Sequence, residues 1–222
     1  MSSLITMKES MPFNEQEKES FYRLLNARRD VRSGFLDKAV PDNVLQNILA
    51  AAHEAPSVGF LQPWNFIIIR SQATKQKIKE AYLQAKETEA ELFSGARKDL
   101  YESLKLEGIL EAPLNICVTC DRKRDDNNQL GRSTQGEMDI YSTVCAIQNM
   151  WLAARIEDVG MGWVSILEPM QIRKTLDIPD SVEIVAYLCL GYVDEFKDSP
   201  ELETKGWNKR LDLEDLVRYE TW

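Results

Sequence analysis

Arg28-Arg29-Asp30-Val31-Arg32 puts three guanidinium groups and one carboxylate into five residues, at the point where a helical pattern ends. Each guanidinium is a planar fork of donors that matches phosphate, and three forks so close together repel one another unless an anion lies between them. Asp30 alone does not neutralise them. A solvated basic helix end is the competing reading, because cations near a helix C-terminus are favourable. The rest of the chain has to decide between the two.

The totals narrow the choice. With 222 residues, 44% of them hydrophobic, the chain can bury the core of one elaborated domain spanning residues 1–222. A net charge of -9 and a pI near 4.9 argue against nucleic acid as the partner, which needs a broad basic face. No apolar run approaches the roughly 20 residues of a membrane span, and the polar start lacks the apolar stretch of a signal peptide, so a cytoplasmic protein without a membrane partner is expected. His53 is the single histidine, which rules out histidine-rich metal sites and leaves a Ser-His-acid triad only one candidate; no metal site is expected. Cys117 and Cys120 lie in an apolar strand-like run rather than at a turn, and Cys145 and Cys189 also sit in apolar runs, as buried structural thiols do. Any redox chemistry would therefore belong to a bound cofactor.

Along the chain, residues 14–26 have helical spacing, with Phe21, Leu24, Leu25 and Arg28 on one face, preceded by a polar arm over residues 1–14. A second helix follows Pro41, with Val44, Leu45, Ile48, Leu49 and Ala52 on one side, and stops before Pro56. Strands are expected at 66–69, 114–120, 161–167 and 182–193, and further helices at 74–91, 98–110 and 171–176. Residues 121–137 form the most polar segment, read as a surface loop and candidate lid. Residues 138–158 make a helix that is apolar nearly all the way round, with Gly160 as candidate cap, so it faces either a core on several sides or a second subunit. Residues 201–222 are a polar extension. Short strands among longer helices give an α+β domain with a small mixed or antiparallel sheet flanked by helices.

Three further stretches can carry chemistry. In Ala55-Pro56-Ser57-Val58-Gly59-Phe60-Leu61-Gln62-Pro63-Trp64, two prolines bracket a small-residue loop where Gly59 admits a ligand close to the backbone; a plain helix-loop-strand connection is the alternative. In Gly160-Met161-Gly162-Trp163-Val164-Ser165-Ile166-Leu167, Ser165 has apolar neighbours on both sides, so its hydroxyl should have a partner, in the protein or on a ligand. Gly206-Trp207-Asn208-Lys209-Arg210 is either surface decoration or, set beside Arg28 and Arg32, the rest of a phosphate clamp.

Together these stretches resemble the flavin-dependent nitroreductase family across most of the chain. That resemblance implies an FMN-binding domain and an intertwined homodimer, with residues 201–222 extending to the partner subunit. It implies that Arg28, Arg29, Arg32 and Arg210 hold the phosphate and ribityl oxygens. Asp30, Val31, Ser57, Val58, Gly59, Gln62 and Lys105 would complete the FMN site, with Ser165 and Ile166 near the reactive edge of the ring. Asp30 replaces the serine usual in the pentapeptide. With Ser165 and the tail motif, it makes the chain similar to the family branch that forms 5,6-dimethylbenzimidazole from reduced FMN and molecular oxygen, with erythrose 4-phosphate released. Asp30 and Ser165 are then the expected catalytic pair, and a separate flavin reductase is a candidate supplier of reduced FMN. An NAD(P)H-dependent flavin oxidoreductase acting on nitroaromatics, quinones or halogenated phenols is the alternative.

Overall fold

The computed structural model describes residues 12–125, 127 and 130–222. The arm assigned to residues 1–14 falls mostly outside the described residues, as do positions 126, 128 and 129 of the polar loop. Among the described residues no helix is long and apolar enough to cross a membrane.

Four strands form the sheet, β1 (Trp64–Ile69), β2 (Leu114–Asp121), β3 (Val159–Val164) and β4 (Val182–Tyr192), in the order β1-β2-β4-β3. Every pairing is antiparallel, so the sheet is not mixed. Period-two alternation sorts β2 between its two faces. Leu114, Ile116 and Val118 join one core, shared with α2 (Asp42–His53) and α5 (Met138–Ile156). Cys117 faces the other core, shared with α3 (Gln72–Ala90) and α6 (Pro169–Leu176). The result is an α+β domain with helices on both faces of the sheet.

Local chemistry explains several element ends. Asn14 caps α1 (Glu15–Ala27) in a reciprocal capping box with Glu17, and the Ser71 hydroxyl accepts from the Thr74 N–H to start α3. α4 (Gly95–Ser103) is shorter than the expected 98–110 helix. Beyond it, the buried Glu107 carboxylate accepts the Ile109 N–H at 2.7 Å, and Gly108 packs so tightly on Phe35 that a Cβ there would lie 2.4 Å from the ring. Gly160 does not cap α5. Asp158 makes the left-handed turn (φ 56°), and Gly160 is already inside β3.

Among the described residues, two surfaces stay largely uncovered. α1 buries none of its residues, although Phe21, Leu24 and Leu25 share a face. α5 buries one side in the core while Tyr141, Val144 and Ile156 face outward. Cys145, expected to be buried, lies on that outer side, whereas Cys117, Cys120 and Cys189 are buried.

Candidate active site

The pentapeptide leaves α1 and runs along the free edge of β3. Asp30 bridges Met161 in parallel, and the Val31 N–H donates to the Met161 carbonyl at 3.1 Å. Gly162 makes this approach possible, since a Cβ there would sit 2.0 Å from the Val31 oxygen.

The three guanidiniums do not converge on one point. Arg29 donates to the carbonyls of Asn26 (2.5 Å) and Arg28 (2.8 Å), and to that of Asp198 in the C-terminal segment. Arg32 pairs with Asp30, its Nε 3.0 Å from Oδ2. Arg28 lies over the Trp151 ring, 5.0 Å from the centroid. It has no ion pair among the described residues. A cation–π contact contributes about 0.5–2 kcal/mol but satisfies none of the five N–H donors, so Arg28 is the member of the cluster still equipped for an anion. Burial lowers its guanidinium below the usual value, Asp30 opposes that, and Arg29 and Arg210 reinforce it. Arg210, an exposed residue, therefore lies within electrostatic reach of Arg28.

Asp30 is held at both oxygens, because Oδ1 accepts the Trp163 N–H at 3.0 Å while Oδ2 faces Arg32. Ser165, expected inside a strand, lies one residue beyond the end of β3 and is exposed. No partner in the protein is required of its hydroxyl there, since water can serve it. Ile166 packs on the second core, beside a cavity of about 140 Å³ lined by Trp163, Ser165, Leu167 and Tyr187.

The Ser57–Gln62 loop is strained. Gly59 (φ 53°), Phe60 (φ 56°) and Gln62 (φ 49°) are left-handed, which costs about 1–3 kcal/mol at each non-glycine position. Hydrogen bonds within the loop and from other elements offset this. The Val58 N–H donates to Ser142 Oγ on α5 at 3.0 Å, and the Gln62 N–H to Ser57 Oγ at 3.0 Å. Arg124, from the polar loop, donates to the Gln62 carbonyl, the Trp64 carbonyl (3.1 Å) and the Asn65 side chain. Sequence reasoning missed Arg124, since nothing local pairs it with residues some 60 positions away. Trp64 is fixed from below by donating Nε1 to His53 Nδ1 at 3.2 Å.

Lys105 sits in a segment that comes close to the pentapeptide, since a Cβ at Gly108 would lie 3.4 Å from the Arg32 carbonyl oxygen. Its ammonium pairs with Glu107 (3.1 Å) and Glu111 (2.5 Å), so it is engaged within the α4–β2 connection.

Residues 25–192 match the model of the Nitroreductase family. The chain belongs to the nitroreductase family. Among the relatives of this nitroreductase-family chain is the 5,6-dimethylbenzimidazole synthase of Rhodospirillum rubrum, 38% identical, with 92% of this chain and 96% of the relative covered. The 5,6-dimethylbenzimidazole synthase of Rhodobacter capsulatus is 33% identical, covering 92% and 98%. Among solved structures, iodotyrosine deiodinase bound to FMN and 3-iodo-L-tyrosine superposes with a TM-score of 0.70 at 23% identity, over 90% of this chain and 99% of that one. That likeness supports the family fold.

Proposed function

We propose that this protein fragments reduced FMN with dioxygen, releasing 5,6-dimethylbenzimidazole, the lower ligand of vitamin B12, and erythrose 4-phosphate. The observation that carries this reading is the likeness to the two synthases over nearly the whole of both chains, in a chain whose pentapeptide holds Asp30 against β3.

The residues fit the group. Arg28, half-buried and without a carboxylate of its own, suits a phosphate, and Arg210 adds positive charge in its neighbourhood. The strained Ser57–Gln62 backbone, with Val58 and Gly59 at its turn, suits the polar edge of a flat ring. Reduced FMN supplies the electrons and the carbon skeleton. The chain supplies binding, orientation and proton handling. Arg29 is best suited to fixing the backbone beside the site, and Arg32 to holding Asp30 in place. Val31 serves the same end by pairing with β3. Asp30 is the candidate base, its carboxylate set by two fixed donors, and Ser165 offers an exposed hydroxyl two residues past Trp163. Lys105, paired with Glu107 and Glu111, remains a candidate polar contact for the flavin.

The experiment is direct. Pure protein mixed with chemically reduced FMN and exposed to air is expected to yield 5,6-dimethylbenzimidazole and erythrose 4-phosphate by mass spectrometry, with flavin consumed. Steady NADPH oxidation with flavin intact would instead identify an ordinary flavin oxidoreductase.

A further inference from the structure

The C-terminal segment re-enters the fold through an aromatic seat. α7 (Glu201–Thr204) is a single turn, Gly206 takes φ 75°, and the N–H groups of Trp207 and Asn208 both return to the Leu202 carbonyl, at 2.8 and 3.4 Å. This turn seats the Trp207 indole against two rings of the α3–α4 region. Phe93 stands edge-on at 5.4 Å and Tyr101 lies at 6.1 Å, the two being 4.8 Å from each other. Arg97, exposed on α4, closes the seat. Its guanidinium lies 3.5 Å from the indole centroid, and its Nη1 donates to the Trp207 carbonyl at 2.8 Å. From Asn208 to Trp222 every residue is exposed.

We infer that Trp207, clasped by Arg97, Phe93 and Tyr101, is a positioning residue that presents Arg210 to the phosphate end of the flavin site. Three residues span at most about 10 Å, so fixing Trp207 confines Arg210. The segment is pinned upstream as well, by Arg29 on the Asp198 carbonyl and by Arg155 over the Phe196 ring at 3.8 Å. Both ends of the segment are thereby tied to the body that carries the pentapeptide. The electrostatic influence of Arg210 on Arg28 agrees with that placement. An arginine on an untethered tail would lose conformational freedom on meeting each anion, and the clasp removes that cost beforehand. The inference rests on the reading that Arg28 and Arg210 grip the FMN phosphate.

Riboflavin is FMN without its phosphate, so the ratio of the two affinities isolates the clamp from general packing. Oxidised flavins are titrated in air by fluorescence quenching. Arg210→Gln is expected to weaken FMN about tenfold or more, with riboflavin within about twofold. Trp207→Ala should reproduce that pattern, Arg97→Gln should show it about threefold, and Trp207→Phe should restore it by keeping a ring in the seat. If Trp207→Ala does not fold, the exposed Arg97→Gln decides. A ratio that falls in Arg210→Gln but holds in the Trp207 and Arg97 variants overturns the clasp and leaves the phosphate reading standing. An unchanged ratio in Arg210→Gln removes that reading and the clasp with it. Equal weakening of both flavins in Trp207→Ala makes the indole a packing residue only and overturns the inference.

Discussion

The Oδ1 atom of Asp30 accepts the backbone N–H of Trp163 at 3.0 Å, across 133 positions of sequence. The bond fixes a carboxylate from the first connection of the chain to the edge strand that ends just before Ser165. The same junction tolerates no side chain at Gly162, where a Cβ would press on the Val31 carbonyl and approach Asp30 Oδ1 to 3.4 Å. Position and charge of the acid are thus separable by substitution.

Asp30→Asn retains an oxygen for the Trp163 N–H and removes the charge facing Arg32. FMN affinity should stay within about threefold while formation of 5,6-dimethylbenzimidazole drops at least about 100-fold, the usual contribution of a positioned acid or base. Flavin titration and product quantification by mass spectrometry check the two halves. An unchanged rate would leave Asp30 a purely structural anchor.

Glu107 carries a pH-dependent share of stability. Burial pushes its carboxyl up, but Lys79 at 2.5 Å, the Ile109 N–H and Lys105 outweigh that and hold it below the ordinary value of 4.5. A carboxyl depressed in the folded state stabilises above its unfolded value, and the benefit is lost as pH falls through the folded one. Glu107→Gln should lower Tm at neutral pH, since breaking a buried pair costs about 3 kcal/mol, or roughly 6–12 °C for a domain of this size. The gap between variant and wild type should narrow below about pH 4.5. Thermal melts across the acid range would show it.

Arg124 holds the strained loop from outside. Arg124→Gln should release the Gln62 and Trp64 carbonyls, weaken FMN about tenfold and leave the far-UV spectrum unchanged. Amide exchange of residues 57–65 should accelerate in the same variant. Slow exchange with normal flavin affinity would show that the loop keeps its shape unaided.

We expect a homodimer that covers α1 and the outer side of α5, surfaces left exposed among the described residues. Light scattering should give about twice 25.5 kDa. Phe21→Asp together with Ile156→Asp should shift the species toward monomer. A wild-type mass equal to one chain would end this expectation.

Much of the fold is legible in the residues. Ile116 and Val118 alternate with Cys117, and Val44, Leu45, Ile48 and Ala52 repeat at helical spacing, so element type and core side follow from local pattern. The site is legible to the extent that charge density and loop chemistry are local, as at Arg28–Arg32 and Ser57–Gln62. What is not legible depends on distant partners. Nothing near Arg29 foretells that its fork closes on Asp198, nor that Arg28 keeps its donors open by lying on Trp151. Apolar neighbours carry the strand pattern past Ser165, yet pairing with β4 stops at Val164, opposite Tyr187.

The cysteines have a practical consequence. Burial pushes the Cys117 thiol up to about 12 and raises those of Cys120 and Cys189 as well, so these three resist alkylation and autoxidation. In the single chain Cys145 alone is open to reagents, on the outward side of α5. A maleimide dye would therefore attach at one address without mutagenesis, and its labelling rate against protein concentration would read out how two chains come together.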